Sequence, residues 1–180
     1  MDDKHNNHQG SYGRFAAMIG TSMVIMYGLM YLNSSQIVDH AWFSETRLFM
    51  TGMMGGAMAA VMMMYMLGMY RNKKANAAVF VGAAVLVLGS LWLVRSQITV
   101  DDVDYMEGMV PHHSIAILTS ERAGIEDPRV RELADQIIES QRQEIKEMEW
   151  LIEDIRTNGI VATEAEADAR PVPDFSAAPE

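Results

Sequence analysis

Three stretches of this chain, residues 15–32, 48–70 and 75–94, contain no Asp, Glu, Lys or Arg. Crossing a hydrocarbon core takes roughly 20 residues of helix, and backbone polar groups in lipid must be paired within the segment. The three stretches therefore read as transmembrane helices. For the first, the shortest, a signal peptide is the competing reading. Asp2 and Asp3 weaken its charged leader, and no Ala-x-Ala cleavage pattern follows Leu32. Orientation follows from the loops: Arg71, Lys73 and Lys74 join the second and third stretches, and positive loops stay in the cytoplasm. The 33–46 loop carries Asp39 and Glu45 with no Lys or Arg, as expected outside. The N-terminus, with Lys4 and Arg14, is then inside, and whatever follows Arg95 is extracytoplasmic.

The net charge of −10 belongs mainly to residues 95–180. It argues against nucleic acid, whose phosphates need clustered Lys and Arg. The chain has no cysteine, which removes disulfides, thiolate metal sites and cysteine nucleophiles. Seventeen methionines are the anomaly. A thioether is a soft ligand suited to Cu(I), and also a flexible core filler.

After the membrane segments, Thr99 with Asp102 reads as an N-cap with its capping box, opening a helix that runs to about Ala123 and stops at Gly124. Asp127-Pro128 opens a second helix, ending near Asn158-Gly159. The remainder, rich in Ala, Glu, Asp and Pro, reads as a disordered acidic tail. The expected organisation is all-α: a cytoplasmic tail at 1–14, three transmembrane helices at 15–95, a helical hairpin at 99–158 and the tail at 159–180.

Two groups of side chains could carry chemistry. Met50, Met54, Met58, Met62 and Met66 recur every four residues along one helix face. Packing, helped by Gly52-x-x-x-Gly56, is the bland reading, and a soft-metal path the sharper one. In the hairpin, Met106, Met109 and His113 fall at i, i+3 and i+7, with His112 three positions after Met109. Adjacent histidines on a regular helix point about 100° apart. Pro111 cannot donate to the carbonyl of Glu107 and should kink the helix beside them. On the second helix, Val130, Ala134, Ile137, Gln141, Ile145, Met148, Ile152 and Ile155 form the inner stripe, broken by Gln141 with Glu144 at its edge. Folding the hairpin brings the level of 139–141 opposite the histidines. Inward polar groups need partners: a Gln141–histidine hydrogen bond that fixes register is one reading, and Gln141, Glu144 or Met148 completing a metal site is the other. His40 shares the hairpin's side of the membrane, while His5 and His8 fall in the cytoplasmic tail.

Met-Val-Pro-His-His at 109–113, Asp-Pro-Arg-Val at 127–130, and the second-helix pattern at Gln136, Ile137, Gln141, Glu144, Ile145, Met148 and Leu151 resemble the bacterial domain-of-unknown-function 305 family, over about 103–155. The paired histidine is that family's hallmark, matched by His112 and His113. The resemblance implies a ferritin-like hairpin, half of a four-helix bundle, and a bacterial inner membrane with the C-terminal domain periplasmic. Some secreted members of the family bind copper and support copper tolerance, and the Met-rich anchor resembles its membrane-bound branch.

The expected function is a membrane-anchored, periplasm-facing copper-binding protein for buffering, tolerance or handover, with Met106, Met109, His112, His113, Gln141, Glu144 and Met148 as candidate ligands and a copper ion as cargo. The alternative is a non-metal structural or assembly subunit. No Glu-x-x-His occurs, so a di-iron oxidase is not expected, and no catalytic constellation is visible. Two helices enclose little core, so a homodimer, or docking on another membrane or periplasmic protein, is expected.

Overall fold

The computed structural model describes residues 11–32, 36 and 42–176. Over these the chain is all-α, with six helices and no strand: α1 (Tyr12–Leu29), α2 (Glu45–Met66), α3 (Lys73–Ser96), α4 (Asp102–Arg122), α5 (Pro128–Asn158) and α6 (Glu164–Ala169). The described residues pack as two units, drawn from Met1–Leu29 with Thr46–Thr99 and from Met30–Glu45 with Val100–Glu180.

In the first unit two helices, α2 and α3, are long and apolar enough to cross a membrane. The expectation of three is corrected here. The 18 residues of α1 rise only about 27 Å, against a hydrocarbon core of roughly 30 Å. That helix also opens on Tyr12 and Arg14 and is diluted by Gly20, Thr21, Ser22 and Gly28. It packs instead as a third helix antiparallel to α2. Phe15 and Ile19 meet Met63 and Tyr70 in a buried cluster, and Met23 lies over Gly55. The start of α1 is tied to the loop between α2 and α3. Tyr12 Oη donates to Asn76 Oδ1 at 2.7 Å, the Asn76 amide donates to the Tyr70 carbonyl at 2.9 Å, and the Tyr12 and Tyr70 rings lie 4.8 Å apart.

The two glycines of Gly52-x-x-x-Gly56 are both used inside the chain. A Cβ on Gly56 would lie 2.9 Å from the carbonyl oxygen of Ala83, and one on Gly52 would lie 2.7 Å from Ser90 Oγ. The missing side chains let α3 approach α2, which is how small residues act between membrane helices.

The second unit is built on α4 and α5, an antiparallel hairpin. The N-cap of α4 is Asp101, two residues beyond Thr99: its carboxylate accepts from the Asp104 N–H at 2.9 Å, and Asp104 returns the contact to the Asp101 N–H in a capping box. Burial raises the Asp104 carboxyl above its ordinary value, and the backbone bond from Asp101 opposes that. Asp127 and Pro128 start α5 as expected, and Gly159, at φ 82°, ends it in a conformation that disfavours side chains. Helix α4 continues through Pro111, which is fully buried.

Val110, Ile117 and Ile145 form the hairpin core, with Ile138 and Met148 packed against it. Trp42, from the segment before α2, joins the same core. Ser44 is buried beside Gly108, where a Cβ would come within 3.3 Å of the Ser44 hydroxyl. The guanidinium of Arg156 sits 5.6 Å from the Trp42 ring centre and pairs with the buried carboxylate of Glu107. The segment before α2 thus closes a side of the hairpin that two helices leave open.

Beyond Gly159, where a disordered tail is expected, the structure has α6 and an anchored return. Arg170 donates to the Gly159 carbonyl at 2.7 Å and pairs with Asp154 at 3.0 Å. Thr163 caps α6, accepting from the Glu166 N–H at 3.3 Å. Acidic composition marks solvation, but Arg170 with its two partners, and Ile160, Val161 and Val172 facing Met106 and Leu151 across an apolar groove, accompany the return. His5, His8 and His40 lie outside the described residues.

Candidate metal centre

The site is built from one turn of α4 and one turn of α5. His113 is nearly buried. Its Nδ1 lies 2.8 Å from the carbonyl oxygen of Met109, one turn back, and its Nε2 lies 2.7 Å from Glu144 Oε2 on the facing helix. A carbonyl oxygen only accepts, so Nδ1 carries a hydrogen. At 2.7 Å, Nε2 and a carboxylate oxygen cannot both present lone pairs. A proton, or a cation in its place, belongs between them.

Glu144 is held from its own helix as well. Ser140 donates to Oε1 at 2.7 Å, and the Gln141 amide donates to Oε2 at 3.2 Å. Its side chain keeps 43% of its surface exposed, so the pair opens to solvent on one side. The facing level is Glu144, about one turn beyond the 139–141 level that folding the sequence suggests. Gln141 contacts Glu144 rather than a histidine.

The other candidates are distributed differently. His112 is exposed, and its ring centre lies 6.1 Å from that of His113 with the two planes inclined at 74°; neighbours on a helix diverge by about 100°. Met109 enters the site through its carbonyl. Met106 is buried and, with Met148, Tyr105, Leu151 and Val172, lines a groove of about 540 Å3 beneath the returning tail. Met148 also packs against the hairpin core. Among the described residues, no group of three or more His, Cys, Asp or Glu side chains converges on one point.

Sequence reasoning missed three residues of this neighbourhood. Trp42 lies about seventy positions from the helix it covers, and no local pattern marks a loop tryptophan as core. Glu107 and Arg156 pair across 49 positions. The signal available for them was a carboxylate inside an apolar turn of α4.

Residues 99–175 match the model of a family described as Domain of unknown function (DUF305). The matched residues take in α4, α5, α6 and the returning tail, and reach Phe175, which lies in a surface hollow with Ile138 and Arg142 of α5. Among curated proteins, an uncharacterized protein of Acanthamoeba polyphaga mimivirus is 38% identical over 71 residues, covering 38% of this chain and 47% of that protein. The chain spans about half the length of the curated relative it matches. No solved structure matches it.

The chemistry of the donors fits a divalent transition metal. Imidazole suits copper, and a carboxylate suits the harder Cu(II) state. Two bonds of about 2 Å meeting at a right angle need donors about 2.8–2.9 Å apart. The 2.7 Å between Nε2 and Oε2 is a tenth or two short of that, within reach of a small rotation of Glu144. The Nδ1–carbonyl contact is the usual device for fixing a metal-binding histidine's tautomer.

Proposed function

We propose that the chain is a membrane-anchored copper-binding protein whose hairpin faces the extracytoplasmic side and buffers or hands over the metal. One observation carries it: His113 Nε2, oriented through Nδ1, faces Glu144 at 2.7 Å on a side open to solvent. His113 and Glu144 would hold the ion, and Ser140 and Gln141 would orient the carboxylate.

Anchoring through α2 and α3 is supported by their exposure. Only 28% and 11% of their apolar windows are buried, unlike the core helices of a water-soluble protein. The orientation rests on Arg71, Lys73 and Lys74 between them. It does not depend on α1, because two spans with that loop inside place the start of α2 and the end of α3 outside. The bond from Tyr12 to Asn76 puts the start of α1, with Arg14, beside the same positive loop.

A specific observation favours a second reading, a non-metal structural subunit: Glu144 is already well supplied by Ser140, Gln141 and His113, as an interhelical lock would be. Metal analysis of the full chain purified in detergent after copper exposure separates the two. Copper is expected with the wild type and with Met50, Met54, Met58 and Met62 all replaced by Leu, and is expected to fall to background with His113→Ala. Outer-shell partners of metal ligands typically contribute 10–100-fold in affinity, so Gln141→Ala is expected to weaken binding by about tenfold. If the wild type carries no copper, and His113→Ala lowers thermal stability equally with and without copper, the lock is the correct reading.

A further inference from the structure

The first unit has no Asp or Glu among its described residues, so its cations have no counter-ion within it. They gather at one end. Arg71, Lys73 and Lys74 lie in and just after the loop between α2 and α3, and Arg14 lies at the start of α1. Tyr12 ties α1 to that end, its Oη donating to Asn76 Oδ1 at 2.7 Å with the Asn72 carbonyl 3.2 Å away. All of these cations are exposed, and none enters an ion pair among the described residues. In the second unit, by contrast, Arg129, Arg131, Arg142, Arg156 and Arg170 each pair with a carboxylate. Successive Cα atoms lie 3.8 Å apart, so the Cα atoms of Arg71, Lys73 and Lys74 fall within about 11 Å. Like charges that close repel unless an anion comes between them. One helix ends here and the next begins, so their dipoles oppose and the side chains carry the field. The border of the cluster is apolar. Tyr65, in the last turn of α2, keeps 88% of its surface exposed, and Leu67 and Met69 keep 44% and 47%. An uncovered tyrosine at the end of a helix apolar enough to span a membrane belongs where hydrocarbon gives way to headgroups.

We infer that this end of the first unit binds the phosphate of an anionic phospholipid, with Arg71, Lys73 and Lys74 as its contacts and Arg14 at its flank. The inference rests on the anchoring of α2 and α3 proposed above and is independent of copper. The occupant is a lipid because a phosphate alone has no use for the apolar border, whereas acyl chains lie along Tyr65, Leu67 and Met69. Positive loops determine which side of the membrane a loop takes during insertion. A lipid held at the loop is a partner of the finished protein, and it supplies the counter-ion that the unit lacks.

Native mass spectrometry of the full chain in detergent, stripped of lipid and then offered phosphatidylglycerol or phosphatidylcholine, tests this. Orientation in the cell has no bearing there. The wild type is expected to retain phosphatidylglycerol at least roughly tenfold more than phosphatidylcholine. Each Lys or Arg near an anionic surface strengthens attachment about fivefold. Arg71→Gln with Lys73→Gln and Lys74→Gln is therefore expected to lose the preference, and Arg71→Lys with Lys73→Arg and Lys74→Arg to keep it. Arg95→Gln, at the other end of α3, is expected to keep it as well. Equal retention of the two lipids by the wild type, or a preference unchanged in the triple Gln chain, would overturn the inference. So would displacement of phosphatidylglycerol by millimolar inorganic phosphate, which would assign the cations to a free anion. If the triple Gln chain fails to fold by circular dichroism, salt decides: the wild-type preference is expected to fall as salt rises, and a preference indifferent to salt overturns the inference. A chain that stays dissolved without detergent removes the anchoring itself, whereas a detergent-requiring chain with no lipid preference removes only the lipid site.

Discussion

Helices α3 and α5 show what exposure means in two parts of one molecule. On α3, Val81, Val85, Leu88 and Trp92 keep more than half of their surfaces exposed. On α5, the buried residues share one side and the rest of the helix is largely charged. A contiguous apolar surface like that of α3 marks contact with lipid or protein, and a one-sided helix marks water on its other faces. The same exposed valine thus has two explanations. In α3 it belongs to a contiguous apolar surface on a helix long and apolar enough to cross a membrane, where a bilayer would cover it. On α5, Val130, with Leu133 and Ile137, is an apolar exception on a largely charged helix.

The comparison breaks most completely if the solvent assignment is wrong. With the Arg71–Lys74 loop inside, a phosphatase reporter active only outside the cytoplasm, fused after Ser176, is expected to be active. Replacing Arg71, Lys73 and Lys74 by Gln removes the charges that hold that loop inside, and reporter activity is expected to fall several-fold as inverted chains accumulate. An active cytoplasm-only reporter on the wild type would reverse the assignment and remove the hairpin from the compartment proposed for it.

Two tryptophans sharpen the same contrast. Trp42 packs into the core of the hairpin, whereas Trp92 stands exposed on α3. Truncating a core tryptophan costs about 3–5 kcal/mol, and Trp42 is only half-buried, so Trp42→Ala is expected to destabilise the hairpin by about 3 kcal/mol. Hydrogen exchange of the α4 amides between Val110 and Ile117 reads this directly. Trp92→Ala is expected to leave those amides unchanged. Equal protection in the wild type and Trp42→Ala would mean that α4 and α5 stand without the segment before α2.

The legible parts of this molecule were those whose cause is local. Charge-free runs gave α2 and α3, and Asp127-Pro128 and Gly159 marked the ends of α5 because caps act within one turn. Counting charges alone overstated α1, where small and polar residues dilute the run. Thr99 lost the α4 cap to Asp101, an acceptor two positions on with Asp104 placed to reciprocate. At the site, folding the hairpin gave the facing level as 139–141, about one turn short of the Glu144 that meets His113, and the helical turn already separated His112 from His113. What stayed hidden was long-range: Trp42 on the hairpin core, Glu107 with Arg156, and Arg170 returning to Asp154 and Gly159. Each pairs residues whose own neighbourhoods carry no trace of the partner.

The smallest expected effect concerns how the two helices begin. The cap of α3 is neutral: Asn72 Oδ1 accepts from the N–H groups of Lys74 and Ala75, both at 3.1 Å. The cap of α5 is charged. Asp127 accepts from the Arg129 N–H at 2.9 Å and pairs with its guanidinium at 2.6 Å. The Arg129 side chain, then its backbone N–H, holds the Asp127 carboxyl below its ordinary value of 3.8. A carboxyl lowered in the folded state adds stability above its unfolded value and loses it as pH falls through the folded one. Asp127→Asn keeps an oxygen to cap α5 and removes the charge. Denaturant unfolding of the hairpin is therefore expected to show the wild type slightly ahead at neutral pH. That lead is expected to shrink as pH drops below about 4 and vanish once the carboxyl is protonated. The group lies at the surface, so the lead is small and salt is expected to reduce it further. A lead that stays constant down to low pH would assign the cap to its neutral hydrogen bonds, leaving α5 started in the same way as α3.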